Sequence, residues 1–234
     1  MFYSSLLTMC LTMGNRPEEL RETLSSLGNV LSDIPVLAIN DFGDAESTAV
    51  FREMCPHGRV IDTRGSVGHM RAIDALYGHV QTPYIFHMED DWTFTRTDFF
   101  EDALNVLTSD DKISMVLLRD LGNIPLAKQN PDKVLHKTTR GIDWARLDGT
   151  CDKWFGYTFN PHLSRRETWL DLGGFSQFRG EGVISQHFRD IGRYVAALTP
   201  GPCYHAGAQH SVRKLKRRQA LGKADETGTN ATAA

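Results

Sequence analysis

The stretch Tyr84-Ile85-Phe86-His87-Met88-Glu89-Asp90-Asp91-Trp92 joins an apolar run to three consecutive carboxylates. A short apolar run of this kind reads as a buried strand, here predicted over residues 83–88. In open α/β sheets, ligands bind outside the carboxyl ends of the strands, which is where the acids fall. Side chains two apart on a strand point the same way, so Glu89 and Asp91 are expected to converge while Asp90 faces elsewhere. Two carboxylates about 5 Å apart repel by roughly 3 kcal/mol at an effective dielectric near 20. A divalent cation would turn that penalty into a binding site. The competing reading is a solvated turn in which Asp90 or Asp91 caps the next helix.

Upstream of this stretch, short apolar runs alternate with helical periodicity. Residues 5–11 read as a first strand, and Arg16-Pro17-Glu18-Glu19 as a helix start, with proline and two acids suited to a first turn. Leu20, Leu24 and Leu27 share one face of that helix, and Gly28 is its expected stop. A second strand over 35–40 leads into Asp41-Phe42-Gly43-Asp44, followed by a helix over 45–54 and a strand over 59–62. Gly65-Ser66-Val67-Gly68 opens a helix lined by Met70, Ile73, Leu76 and Tyr77. Beyond the acids, Phe99, Phe100, Ala103, Leu104 and Leu107 make another helical stripe, and 113–118 is an apolar strand. Strand alternating with helix predicts an α/β domain with a mostly parallel sheet and right-handed crossovers.

From 119 to 153 the periodicity breaks, and loops or a small insertion are expected. Order is expected to resume over 154–160. A helix follows with Ser164 as N-cap, Glu167 closing a capping box, and Gly173-Gly174 as its stop. Val183, Ile184, Phe188 and Ile191 form the stripe of a further helix, and 194–198 is the last clear strand. Residues 213–218 are a basic cluster, and the end from Gly222 reads as a disordered tail. No internal repeat is evident. The expected division is a ligand-binding half over 1–118, a second half of the same domain over 119–212, and a basic segment with tail over 213–234.

With 234 residues, 41% hydrophobic and 24% charged, the chain can bury a sizeable core, and disordered, collagen-like and disulfide-scaffold classes are excluded. A formal charge of −3 makes no global case for nucleic acid. No apolar run is long enough to span a bilayer, and residues 1–13 lack the basic start of a leader, so a buried first strand is expected there. Cys10, Cys55, Cys151 and Cys203 lie far apart, which favours reduced thiols and a cytoplasmic location. The lone sequon at Asn230 carries no meaning without secretion. A G-x-G-x-x-G fingerprint and a G-x-S-x-G elbow are both absent, which argues against a dinucleotide-binding dehydrogenase and a serine hydrolase. A nucleotidyltransferase would need a Gly-rich first loop, and residues 11–16 contain one glycine.

The segment ending in Glu89-Asp90-Asp91 resembles the D-x-D region of GT-A nucleotide-sugar glycosyltransferases, especially family-2-like members. Other stretches agree in order. Thr12-Met13-Gly14-Asn15-Arg16-Pro17 is similar to the family's first nucleotide-contacting loop, and Ile39-Asn40-Asp41 to its nucleobase-binding strand end. Arg64-Gly65-Ser66-Val67-Gly68 with Arg71 and Asp74 resembles its glycine-containing loop and helix. The stretch from Phe159-Asn160 through Arg165-Arg166 to Leu172-Gly173-Gly174-Phe175 resembles its G-G-F region, and Tyr204-His205-Ala206-Gly207 its late histidine. The resemblance spans roughly residues 4–213. Glu89 departs from the family's commoner first Asp, so Asp91 is the better expected metal ligand.

The resemblance implies a GT-A fold and a metal-dependent transfer of a sugar from a nucleotide sugar, UDP-linked by expectation, to a hydroxyl acceptor. Glu89, Asp91 and His205 would hold the metal. Oxygen ligands with one imidazole suit Mn²⁺ or Mg²⁺, and the nitrogen tilts the choice towards Mn²⁺. Thr12, Asn15, Arg16, Asp41, Arg64, Gly68, Arg71, Asp90, Arg213 and Lys214 are the expected donor-binding residues. Glu181 is the expected general base of an inverting reaction, with Asp152 in reserve. Each has a plainer alternative: a helix-start acid for Glu181, surface charge for Arg64 and Arg71, a partly buried histidine for His205. The family often shows an acidic pair where this chain has Glu181-Gly182, which weakens the case for inversion. Trp154, Phe155 and Tyr157 could form an acceptor platform, with core packing the expected role of at least two. The basic cluster also suits a nucleic-acid-linked acceptor or a membrane surface. A catalytically inactive sugar- or nucleotide-binding module is the non-enzymatic alternative.

Overall fold

A computed structural model describes residues 3–63 and 65–206. Arg64, Gly207, Arg213, Lys214, the 213–218 cluster and the tail lie outside the described residues.

The chain opens with β1 (Leu7–Met13), α1 (Pro17–Leu27), α2 (Val30–Asp33), β2 (Val36–Asn40), α3 (Ala45–Met54), β3 (Arg59–Asp62), α4 (His69–Tyr77) and β4 (Tyr84–Glu89). Pro17 sits in the first turn of α1 with Glu18 and Glu19, and Gly28 ends the helix at φ 52°, as the sequence predicts. After the acidic turn come β5 (Trp92–Phe94), α5 (Phe100–Leu107), β6 (Ile113–Leu117) and α6 (Pro125–Gln129). The chain continues through β7 (Leu135–Thr139), β8 (Ile142–Arg146), β9 (His162–Arg165), α7 (Arg166–Leu172), α8 (Glu181–Asp190), β10 (Tyr194–Leu198) and β11 (Cys203–His205).

Nine strands form one sheet in the order β3-β2-β1-β4-β9-β6-β10-β8-β7, and β11 pairs with β5 in a small second sheet. β3, β2, β1 and β4 run parallel, and β6, β10 and β7 share their direction; β9 and β8 run against them. The expected mostly parallel α/β sheet is therefore present. Alternate side chains feed two cores. Leu7, Met9 and Leu11 of β1 with Phe86 and Met88 of β4 face α1 and α5, whereas Cys10 and Ile85 face α4 and α8. Each fully buried leucine or phenylalanine in these layers contributes about 1.5–3 kcal/mol.

The second half departs from expectation in four places. Ser164 is not an N-cap: it lies within β9, opposite Ile85 of β4 and Met115 of β6, and α7 begins after Arg165 without a side-chain cap. Two flanking strands offer a complete hydrogen-bond ladder to this segment, which outweighs a single cap bond. Residues 154–160 are irregular backbone with bends, so regular structure resumes later than expected, at β9. The 119–153 stretch contains the β7–β8 hairpin, closed by Arg140 and Gly141 at φ 53° and 79°. Its first strand is exposed along most of its length, so burial imposes no apolar alternation there. In α8, Ile184 and Phe188 are buried, but Val183 and the C-cap residue Ile191 are about half exposed, leaving a narrower stripe than predicted.

Candidate active site

The acidic turn after β4 is gathered by the loop after β1. The Gly14 N–H donates to Asp90 Oδ2 at 2.9 Å, and the Arg16 guanidinium forks across Asp90 Oδ1 and Asp91 Oδ2. Gly14 has φ 152°, and a Cβ there would lie 2.5 Å from Phe42 Cδ2, so this approach needs glycine. The Asn15 N–H donates to Asp44 Oδ2 at 2.8 Å, and Asp44 also caps α3 by accepting from the Ser47 N–H. Thr12 is buried near the end of β1, opposite Ile39 and Glu89.

His205 reaches the same turn from the far end of the chain. Pairing of β11 with β5 sets His205 opposite Trp92, and its Nε2–H donates to Asp91 Oδ2 at 2.9 Å. The Trp92 indole N–H donates to Glu89 Oε2 at 3.3 Å. The strand ends at Glu89, so simple alternation stops there, and Asp90 joins Asp91 on Arg16 instead of facing elsewhere. Asp91 Oδ1 is buried and has no hydrogen-bond partner.

Burial governs the ionisation of these acids. Desolvation, reinforced by the charges of Asp91, Glu181 and Asp90, pushes Glu89 well above the usual carboxylate range. Burial carries Asp90 to about 7 against the pull of Arg16 and the Gly14 N–H. For Asp91 burial acts in the same direction, but His205 and Arg16 outweigh it and hold the carboxyl below its ordinary value. One ionised, well-supported carboxylate thus stands beside two that are costly to ionise.

The other expected donor residues scatter around this centre. Asp41 is buried and braces the 65–68 loop: Oδ1 accepts from the Val67 N–H at 2.7 Å, and Oδ2 from the Ser66 hydroxyl and the Gly68 N–H. Gly68, at φ 94°, occupies the N-cap of α4, and Arg71 is exposed on that helix. Asp74, from the same helix, accepts from the Trp169 indole and from the Phe175 and Ser176 N–H groups, anchoring the Gly173-Gly174-Phe175 turn.

Glu181 opens α8, and its Oε1 accepts from the Phe159 N–H at 2.6 Å and the Thr158 hydroxyl at 3.1 Å. It borders a cavity of about 410 Å³ shared with Leu117, Arg119, Leu126, Trp154 and Asn160. Trp154 is half-buried, while Phe155 and Tyr157 are core residues, as expected for two of the three aromatics. Asp152 is exposed on a turn. Arg119, which sequence reasoning missed, donates to Asn160 Oδ1 at 3.0 Å and to the Asn123 carbonyl, and lies 5.5 Å from the Trp92 ring centre. Its only sequence signal is a cation directly after the apolar strand. Burial lowers its pKa, against the opposing pull of Cys203 and Glu89.

Among the described residues, no group of three or more His, Cys, Asp or Glu side chains is placed to hold a metal ion, so Glu89, Asp91 and His205 are not gathered into the expected three-residue ligand set. The donor chemistry nevertheless fits a cation that keeps open positions. Asp91 offers a buried, unpartnered oxygen, with Glu89 and the imidazole of His205 beside it. Among the described residues no helix is long and apolar enough to cross a membrane.

Comparisons with known proteins agree with this architecture. The mannosyltransferase PcManGT from Pyrobaculum calidifontis, solved in complex with GDP-Man and Mn²⁺, superposes with a TM-score of 0.63 at 14% identity, covering 92% of this chain and 60% of that one. Residues 1–349 of TarS from S. aureus superpose at 0.60 with 11% identity, covering 86% and 60%. This chain therefore spans about 60% of the length of either structure. No curated protein matches it by sequence. Residues 8–179 match the family described as Glycosyl transferase family 2, a span running from β1 through the acidic turn to just beyond the Gly173-Gly174-Phe175 turn. With the sheet, the turn and the family match in one register, the chain belongs to glycosyl transferase family 2.

Proposed function

We propose that this protein is a metal-dependent glycosyltransferase that moves a sugar from a UDP-linked donor to a hydroxyl acceptor with inversion. The observation that carries the reading is the buried Asp91 carboxylate, held ionised by Arg16 and His205 with Oδ1 left unpartnered at the end of β4. Asp91, Glu89 and His205 would hold Mn²⁺ or Mg²⁺, and the ion would supply Lewis-acid neutralisation of the diphosphate leaving group. Few protein ligands suit an ion whose remaining positions are filled by substrate phosphates.

The β1 loop, with Thr12, Asn15 and Arg16, and the Asp41-braced loop ending at Gly68 flank the donor. Arg64, Arg71, Arg213 and Lys214 are further candidates for its phosphates. In the chemical step, the acceptor oxygen bonds to the anomeric carbon while the carbon–oxygen bond to the diphosphate breaks, its electron pair leaving on the diphosphate. The acceptor proton passes to Glu181. Oε1 of that residue is already committed to Thr158 and Phe159, which orients the carboxylate and leaves Oε2 for the proton. The cavity beside Glu181 is the acceptor site in this reading, with Trp154 as a stacking wall and Arg119 and Asn160 as polar contacts. Asp152, on its exposed turn, is the less suited base because it stands in solvent, away from the cavity that Glu181 borders.

A thermal-shift panel of nucleoside diphosphates and nucleotide sugars, each with and without Mn²⁺, tests the reading, because ligand bound to the native state raises apparent stability. The expected result is a shift with uridine nucleotides only when metal is present. A shift with guanosine nucleotides instead would replace the donor, and no shift with any of them would remove the nucleotide-sugar reading.

A further inference from the structure

Arg16 stands among the expected ligands in an unusual position. Its side chain is 17% exposed, and it spans two carboxylates whose side chains are 0% and 6% exposed. Asp91 Oδ2 is engaged twice, by Arg16 and by the imidazole of His205, which leaves Oδ1 as the oxygen of that carboxylate without a partner. Arg16 Nε is buried without a partner. The residue occupies the N-cap position of α1 but makes no side-chain cap bond there, so its guanidinium is committed to the acids alone.

A second cation brought to this turn meets one already in place. A guanidinium also binds phosphate in the same forked geometry that it uses on carboxylates. A diphosphate at the β1 loop would therefore offer Arg16 a doubly charged partner in competition with Asp90 and Asp91, and departure of the guanidinium would open the ligand oxygens. We propose that Arg16 is a resident counter-ion that keeps the acidic turn closed to a divalent metal until the donor diphosphate draws it away, so that metal and donor enter together. This rests on the metal-dependent reading above. It adds a coupling that is reciprocal by linkage: the nucleotide raises metal affinity by the same factor as the metal raises nucleotide affinity.

The test is a titration with Mn²⁺ alone, followed by the electron paramagnetic resonance signal of the free ion, on the wild-type chain and on Arg16→Gln. The titration is then repeated with saturating UDP. Arg16→Gln should take up Mn²⁺ without nucleotide at least tenfold more tightly than wild type, and UDP should raise its metal affinity by a much smaller factor than it does for wild type. Equal Mn²⁺ affinity of the two proteins without nucleotide, or weaker binding by the variant, overturns the proposal while leaving metal-dependent donor binding standing. If neither protein binds Mn²⁺ with or without UDP, the metal reading falls and this inference with it. Removing Arg16 leaves Asp90 with the Gly14 N–H and Asp91 with His205 but takes away the cation they share, so the variant's thermal unfolding is followed as well. Mn²⁺ alone should raise its melting temperature and leave that of wild type nearly unchanged; a variant that stays unfolded in Mn²⁺ overturns the proposal.

Discussion

The acidic turn after β4 and the cavity beside Glu181 face one another but are built in opposite ways. At the turn, Gly14, Arg16 and His205 converge on Asp90 and Asp91 through charged and hydrogen-bonded contacts, with Asp91 Oδ1 left unpartnered. Around the cavity, Glu181 and Arg119 are each steered by two hydrogen bonds, and the remaining walls are largely apolar. Charge on the first side is offset within the turn, by Arg16 on Asp90 and Asp91 and by His205 on Asp91. The second side selects by shape and offers one oriented carboxylate. A donor carrying a diphosphate suits the first environment, and a neutral hydroxyl acceptor suits the second.

The largest expected effect is on the charged side. Asp91→Asn keeps the shape but removes the ionised partner of Arg16 and His205, and transfer from a UDP-sugar should fall by about 10³-fold or more. Circular dichroism should show the fold retained; a wild-type rate would take Asp91 out of the site. On the cavity side, Glu181→Gln should lower turnover by about 10²-fold or more while UDP binding, measured by calorimetry, changes by less than about threefold. If the loss appeared in UDP binding instead, the division between the two sides would break.

Smaller effects sharpen the contrast in packing. Gly14→Ala forces a Cβ to within 2.5 Å of Phe42 and should cost about 1–3 kcal/mol, read from the urea midpoint. An unchanged midpoint would mean that the β1 loop is not the tight clasp described above. His162, buried at the join of β4, β9 and β6, has its pKa lowered by burial from the ordinary 6.5 to about 4. Between those values the unfolded chain binds a proton that the folded chain refuses, so stability should fall as pH falls, by up to about 1.4 kcal/mol per pH unit. Proton uptake on unfolding at pH 5 should drop by close to one in His162→Phe; no drop would refute this assignment. The least effect is expected at the hairpin edge, where Lys137→Ala should stay within about 0.5 kcal/mol of wild type in the same urea measurement. A larger change would indicate that β7 is not the unburdened edge strand it looks to be.

Legibility followed the same divide. The strands at 59–62 and 194–198 agree with β3 and β10 to the residue, because each carries a short apolar segment, Val60-Ile61 or Val195 to Leu198, just after a glycine-containing turn. β1 lies two residues later than expected, since its ends are set by partners such as Val36 and Tyr84 and not by its own composition. Arg119 and Asp74 drew no functional assignment from local pattern, because Asn160 and Trp169, which give them their roles, are 41 and 95 residues away.

By itself the sequence determined the alternation of strands and helices over the first 118 residues, the acids at the end of β4, and the glycine at the mouth of β1. These follow from periodicity and from backbone freedom, which act over a few residues. Only the tertiary structure decided that β9 enters the sheet between β4 and β6, that Asp90 turns to Arg16, and that His205 meets Asp91 across 114 residues. Each of those depends on which distant segment can satisfy a buried hydrogen bond or charge, a choice that no local pattern contains.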